Sequence, residues 1–535
     1  MVTSPWSTPH VNDITLRNPT RRVPYRSGWL ALSALGIVLV VVLIVSMRAP
    51  VKDDVAWLLY VAHKWMGGQK LYIDLIEINP PLIIWLSALP TILAQWLGTS
   101  PHEVAIPFFS MLILASAWWS AGLLRRLDPL YQNRVTVFAV TASVMLLTAG
   151  NELGQREHLL IAAALPFLCI VALSLQGQEP GRGVSLAAGM IAALGCLLKP
   201  RYGLAFAAVE MLAIARGLRP WRATNLGAVA VTIAYVVAVL IVHPAYLERI
   251  VPLALKLYDV TDVRFSALLT ESYPMLLGLG TLLMLTRQAM GARQPERWAL
   301  AVLALFGLAS GLVTFLDSKD WFYHRLPATI VATLGLVLWA APRLASGLKF
   351  SHLRRMHLIS ITACLAIIFL TADIVHRTLP QIARAIDPDA STEKRLQRLL
   401  KREKAQSYLA FSEWIALGFP VVNNTNVTWT SRFDSMWALK GELWSNRLDP
   451  GGTRDYPVRT WVVHDFIVGC PDLVVIDTRQ SLNYVGVLAN FDSAFARAWS
   501  NYGQIAGFDG LRVYRRQSPS CTTLYTEEFP VETIE

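Results

Sequence analysis

The chain has 535 residues, is 54% hydrophobic and only 16% charged, and carries a formal net charge of +11. Soluble domains are less apolar and about a quarter charged, so this composition excludes an ordinary soluble protein and, with a mean hydropathy of +0.43, reads as a polytopic membrane protein. Nucleic acid is excluded as a partner too. The basic residues sit in short loops between apolar runs, as in "RRLDPLYQNR" and "ARGLRPWR", with no aromatic-interleaved basic stripe.

In chain order, residues 1–27 form a polar, basic N-terminal segment on the cytoplasmic side. The apolar run that follows has no small-residue cleavage site after it, so it reads as a retained helix and not a signal peptide. Candidate spans are 28–47, 81–98, 104–124, 134–149, 159–175, 184–198, 202–216, 223–243, 273–286, 298–316, 325–341 and 354–373. Near residue 380 the character changes. A charged, helix-prone stretch leads into short β-like runs such as "PDLVVIDT", separated by Gly, Pro, Asn and Asp. The expected fold is therefore an all-α polytopic membrane bundle of about 11–13 transmembrane helices over 28–379, with a soluble extracytoplasmic α/β domain over 380–535.

Arg and Lys in short loops mark the cytoplasmic side. The loops 48–80, 150–158, 199–201, 244–272 and 317–324 then face outward, with the C-terminal domain. Twelve crossings conflict with that placement, which needs an odd number between residues 80 and 124. Either one of 81–98 and 104–124 is not a full span, or a segment is missing from the count.

The outward loops hold the chemistry. "VKDDVAWLLYVAHKWMGGQKLYIDLIEINPPLIIWL", residues 51–86, places Asp53 and Asp54 at the start of an amphipathic helix. The helix dipole favours their ionised form there, and an ionised carboxylate can act as a general base; simple capping of the helix is the alternative. "NELGQREH" adds Glu152, Arg156, Glu157 and His158 at membrane depth, where charges are costly unless they serve a purpose. Arg156 beside Glu157 also reads as a plain salt bridge. "KPRY" supplies Lys199, Arg201 and Tyr202, and "DSKDWFYHR" supplies Lys319, His324 and Arg325. Cationic clusters at a membrane surface suit a lipid phosphate, although basic side chains at helix ends also snorkel. In 244–272, Tyr258, Asp259 and Arg264 could line a cavity, but an interfacial helix without chemistry explains the segment equally. Cys470 and Cys521 could form a disulfide if the C-terminal domain is extracytoplasmic, with two free thiols as the alternative.

The pattern "DDxxW…GGxxLYxDxxExNPPL" resembles the first extracytoplasmic loop of the C-type membrane glycosyltransferases. These include the protein O-mannosyltransferases, the lipid A aminoarabinose transferases and the rhizobial core glycosyltransferases. The resemblance is strongest over 51–90 and weaker at 150–160 and 317–327. It implies a bundle of about a dozen helices, a polyprenyl-phosphate sugar donor, a glycan or lipid acceptor, and a location in the bacterial cytoplasmic (inner) membrane with an extracytoplasmic active site. Counted from Gly68 and Pro80, Asp53 matches the family's catalytic aspartate; counted from Trp57, Asp54 does. The resemblance further implies acceptor positioning or metal binding by Glu77, Glu152 and Glu157, and donor-phosphate binding by Lys199, Arg201, Tyr202, Lys319, His324 and Arg325. The chain departs from the aminoarabinose branch at Asn79, where those relatives carry Lys.

Mg²⁺ or Mn²⁺ would suit oxygen donors from Asp53, Asp54, Glu77 and Glu152, although the resemblance includes metal-free members and makes no cofactor certain. No Walker A loop, HExxH, paired CxxC or GxSxG elbow is present, so nucleotide-driven chemistry has no support. Two other readings remain open. One is a polymerase or ligase using a polyprenyl-diphosphate oligosaccharide. The other is a lipid or solute transporter, which would place its charges on broken helices at the bilayer midplane.

Overall fold

The computed structural model describes residues 26–127, 131–258, 264–345, 357–448, 455–518 and 521. The N-terminal segment up to residue 25, Asp259 and the basic loop 349–356 lie outside the described residues.

Long apolar stretches without internal hydrogen-bonding alternatives form helices, because in lipid every backbone polar group must be satisfied within its own segment. The first part of the chain contains α1 (Arg26–Arg48), α2 (Asp53–Met66), α3 (Pro81–Leu97), α4 (Pro101–Leu127), α5 (Arg134–Ala149), α6 (Arg156–Leu175) and α7 (Arg182–Leu198). It continues with α8 (Gly203–Ala215), α9 (Ala223–Val242), α10 (Val251–Leu257), α11 (Phe265–Gly291), α12 (Arg297–Leu316), α13 (Phe322–Ala345) and α14 (His357–Ile386). Among the described residues, eight helices are long and apolar enough to cross a membrane. The chain is thus read as a multi-pass membrane protein. α6 is buried almost throughout and forms the bundle axis. α1 and α9 turn most of their apolar side chains outward, as helices facing lipid do.

The bundle has two distinct ends. At one, Gln178 Nε2 donates to the Arg126 carbonyl (2.9 Å), Tyr131 Oη to the Leu338 carbonyl (3.3 Å), and Arg216 stacks on Trp298. At the other, the starts of α2, α6 and α13 meet the ends of α7, α9 and α12. α3 does not run between these ends. Pro80, just before it, lines a cavity at the second end. Its last turn lies beside the end of α2, with Gln95 Nε2 3.4 Å from His63 Nδ1. The next helix, α4, begins where His102 feels the charge of Lys394 in the C-terminal domain. The expected span over 81–98 is thereby corrected: both ends of α3 are at the same end of the bundle. α3 is not among the eight helices long and apolar enough to cross, whereas α4 is.

α14 continues to Ile386, so the compositional change at residue 380 falls inside its last turns. Beyond it lie α15 (Thr392–Arg402), β1 (Ser407–Phe411), α16 (Val421–Thr425), β2 (Thr428–Trp429), α17 (Trp437–Leu448) and α18 (Val458–Gly469). Then come β3 (Leu473–Asp477), α19 (Tyr484–Phe491), α20 (Ser493–Trp499), β4 (Tyr502–Phe508) and β5 (Leu511–Arg516). The strands form one sheet in the order β2-β1-β3-β5-β4. β1 and β3 pair in parallel, with Tyr408 opposite Leu473, and are buried on both faces, whereas β4 and β5 form an antiparallel, more exposed edge. Cys470 and Cys521 form a disulfide.

The sheet domain docks on the site end of the bundle. Trp57 packs on Phe419 (ring centroids 4.9 Å), Asn423 Nδ2 donates to the Ala56 carbonyl (3.0 Å), and the Ile76 amide donates to the Arg432 carbonyl (2.8 Å). α10 meets α17 at Gly441, where a Cβ would stand 2.2 Å from the Leu257 carbonyl oxygen. Only glycine permits that approach.

Candidate functional site

The docked domain roofs a cavity of about 590 Å³ above the helix ends. α2 presents two carboxylates to it from its first turn. Lys52, not either aspartate, occupies the N-cap position, and no side chain caps the helix, so capping does not account for Asp53 and Asp54. Asp53 Oδ1 lies 3.3 Å from Lys52 Nζ and accepts the Asp54 amide at 3.0 Å. Asp54 Oδ2 accepts from Gln155 Nε2 at 3.0 Å, and its Oδ1 lies 3.7 Å from Arg156 Nη2. Burial pushes the Asp53 carboxyl up, assisted by Asp54 and opposed by Lys52. A more basic carboxylate is a better proton acceptor.

Glu77 is a buried wall residue. Trp57 Nε1 and Asn79 Nδ2 donate to it, as does the Asn79 amide at 2.7 Å. Burial raises its pKa. Asn79 thus clamps Glu77.

The turn before α6 is shaped by Gly154, whose φ of +88° and tight approach to the Phe109 ring (2.6 Å from an added Cβ) leave no room for a side chain. It delivers Glu152, Arg156 and Glu157 to the site end. Arg156 lines the cavity and keeps its Nε buried without a hydrogen-bond partner. Glu152 and Glu157 do not line it. Glu152 lies 3.7 Å behind Lys52. Glu157 lies 3.1 Å from Lys199 Nζ. Both acids therefore hold cations in position behind the cavity wall.

Of the six expected phosphate ligands, Lys199, Arg201, Lys319 and His324 line the cavity. Asp317 organises two of them: its Oδ1 takes Arg201, and its Oδ2 lies 2.7 Å from His324 Nδ1. Burial would raise the Asp317 carboxyl, but His324 and Arg201 outweigh it and hold the pKa near about 2. Lys319 Nζ sits 3.5 Å above the Tyr258 ring, which also lines the cavity; Arg264 is exposed outside it. Tyr202 and Arg325 are placed elsewhere. The Tyr202 hydroxyl donates to the His324 carbonyl (2.6 Å) and fixes the start of α13 from behind. Arg325 is buried toward α11 and α14, 3.5 Å from Glu271, and does not line the cavity. α13 turns His324 to the cavity and Arg325 toward α11 and α14.

The sheet domain supplies residues that the sequence reading passed over: Asp434, Trp437, Lys440, Glu413 and Trp414. Asp434 accepts from Trp437 Nε1 (2.8 Å) and Ser435 Oγ (3.1 Å), while burial and the charge of Glu77 raise its pKa to about 8. Lys440 and Glu413 pair at 2.6 Å. The one sequence signal was "FDSMW", an acid between aromatics in an otherwise polar stretch.

Among the described residues no three Asp, Glu, His or Cys side chains are grouped as a metal site. Asp53 and Glu152 both lie against Lys52, Asp54 is held by Gln155, and Glu77 is held by Trp57. The residues present do not fit a shared cation, and no step is derived through one. Comparison of the chain with family models and with curated proteins yields no match.

Proposed function

We propose that the protein is a membrane glycosyltransferase that moves a sugar from a polyprenyl-phosphate donor to an acceptor hydroxyl at the outer surface of the bacterial cytoplasmic membrane, on a C-type fold. The observation that carries this reading is a juxtaposition. The Asp53–Asp54 pair and the cations Arg156, Lys199, Arg201 and Lys319, far apart in the chain, share one cavity at the ends of apolar helices. A lipid-linked phosphate could rest its head group there while its chain stays among the helices.

The acceptor hydroxyl gives its proton to an aspartate carboxylate of α2, and its oxygen bonds to the anomeric carbon. The bond from that carbon to the phosphate oxygen breaks, and the phosphate keeps the electron pair. Fixed cations at the leaving oxygen stabilise the charge that develops there. Lys199, oriented by Glu157, needs no rearrangement to do so. The charges lie at helix ends, whereas a transport path would set them at mid-bilayer.

The test is incubation of purified protein with labelled polyprenyl-phosphate sugars and acceptor-bearing membranes, with mass spectrometry of the released polyprenyl phosphate. Asp53→Asn and Asp54→Asn should each reduce release by about a hundredfold or more. Unchanged release in both single variants and in the double variant would remove the assignment.

A further inference from the structure

Beside the first cavity lies a second, of about 600 Å³, and the two share Lys52, Asp53 and Trp414 as their common wall. Its floor is the α1–α2 link and Asn151. Its far side is the end of α14 and the start of α15, with Arg384, Asp387 and Glu393, and Arg479 of the sheet domain closes it above. We propose that this second chamber is the acceptor site and that it takes a neutral, polyhydroxylated saccharide; the proposal rests on the glycosyltransferase reading above.

Charge decides the ligand class. The first cavity is lined by the acids Asp53, Asp54, Glu77, Glu413 and Asp434 as well as by cations, but Glu157 and Asp317, the partners of Lys199 and Arg201, lie outside its lining, which leaves those two cations to a phosphate. In the second, Lys52, Arg384 and Arg479 are matched by Asp53, Asp387 and Glu393 within the lining itself. A balanced set of donors and acceptors suits hydroxyl groups and gives an anion no net attraction.

Trp414 supplies the remaining element of a sugar site. Its indole is 54% exposed although it stands between two cavities. Arg479 covers it at 4.5 Å, and the Arg479 guanidinium is itself fixed by Asp477 through two contacts of 2.8 Å. An aromatic ring held rigid and left open in a polar chamber offers a platform for the C–H face of a pyranose, while its neighbours bond the hydroxyl groups.

The arrangement also separates the two aspartates. Asp53 faces both chambers, whereas Asp54 lines only the first and is held by Gln155 and Arg156. An acceptor hydroxyl arriving from the second chamber meets Asp53 first. Its proton passes to the Asp53 carboxylate, its oxygen bonds to the anomeric carbon presented from the first chamber, and the phosphate leaves toward Lys199 and Arg201. Asp54 is then a positioning residue.

Two measurements test this. In the first, Ala416→Cys, in the wall of the second chamber, is made in a Cys196→Ser, Cys364→Ser background and labelled with a bulky maleimide. Binding of undecaprenyl phosphate in nanodiscs is followed by tryptophan quenching, and transfer to acceptor-bearing membranes is followed by mass spectrometry. The label should leave undecaprenyl phosphate affinity unchanged and cut transfer by about tenfold or more relative to the same variant unlabelled. In the second, Trp414→Ala should raise the acceptor KM by about tenfold with little change in kcat, and Trp414→Phe should restore most of it. If the wild type fails to bind undecaprenyl phosphate, the glycosyltransferase reading falls and this inference with it. If it binds while the labelled variant transfers at the unlabelled rate, or Trp414→Ala changes kcat alone, the second chamber is not the acceptor site.

Discussion

Asp434→Asn offers a direct test that the sheet domain completes the first cavity. The carboxyl lies among Glu77, Asp54, Ser435 and Trp437, and its pKa is raised from 3.8 to about 8, first by burial and then by Glu77. The folded protein therefore holds a proton that the unfolded chain releases above pH 4. The stability this contributes is complete below the unfolded value and is lost as pH rises through 8. Between pH 7 and pH 9 the ratio of the binding terms falls from about 11 to about 1.1, a loss of about 1.4 kcal/mol. For a domain of this size that is a fall in Tm of about 3–6 °C. Asparagine keeps the shape and the neutral state but does not titrate. Melting curves of the wild type and Asp434→Asn, followed by tryptophan fluorescence, should coincide only below about pH 4; the variant should be the more stable at pH 7, and its advantage should widen by about 1.4 kcal/mol at pH 9. Other groups titrate in both proteins and cancel in the difference. Equal slopes in the two proteins would mean that Asp434 is solvated and does not face the cavity.

Asp317→Asn should cost about 2 kcal/mol at neutral pH, because the carboxylate is held near about 2 against 3.8 unfolded. That stability is present above the unfolded value and is lost as pH falls through the folded one, so the wild type and the variant should melt together near pH 2. The variant also frees Arg201 and His324, and undecaprenyl phosphate should then bind about tenfold more weakly. Cys470→Ser should destabilise the sheet domain by about 4 kcal/mol in the chain-entropy account of a bridge spanning 51 residues. Alkylation of the unreduced protein in intact cells should leave both cysteines unmodified, which would fail if the domain faced the reducing cytoplasm.

The bundle was legible in the sequence because hydrophobic length is a strong, local signal: α6, α9 and α12 match their apolar runs to within a few residues. The acid pair at α2 and the cations at 199, 201 and 319 were legible for a related reason, since charges at the edge of an apolar run stand out against it. Tertiary partners were not legible. Glu157 and Lys199, or Asp317 and His324, look like independent polar residues until the helices cross, and only then does one side of each pair become the support of the other. Arg325 misled because it adjoins His324 in sequence, whereas on a helix that adjacency separates their directions. Asp434 and Trp414 could not be found by contrast at all, for they lie in a soluble domain where polar residues are ordinary. Their significance comes solely from where that domain docks.

The same limit explains the failed segment count. The run 81–98 has the apolar length of a span, but length alone cannot distinguish a helix that crosses from one that returns. Three features show that α3 returns. Its preceding proline is in the cavity wall, its final turn is beside His63, and α4 starts next to the C-terminal domain. Its outward face leaves Trp96 82% exposed and Leu97 64% exposed, which suits a helix at the membrane surface, where Trp is favoured. With α3 returning, α4 is left as the one crossing between residues 80 and 124, the odd number that the basic-loop rule requires. The acids of α2 and Asp434 of the sheet domain could share a cavity only under that parity.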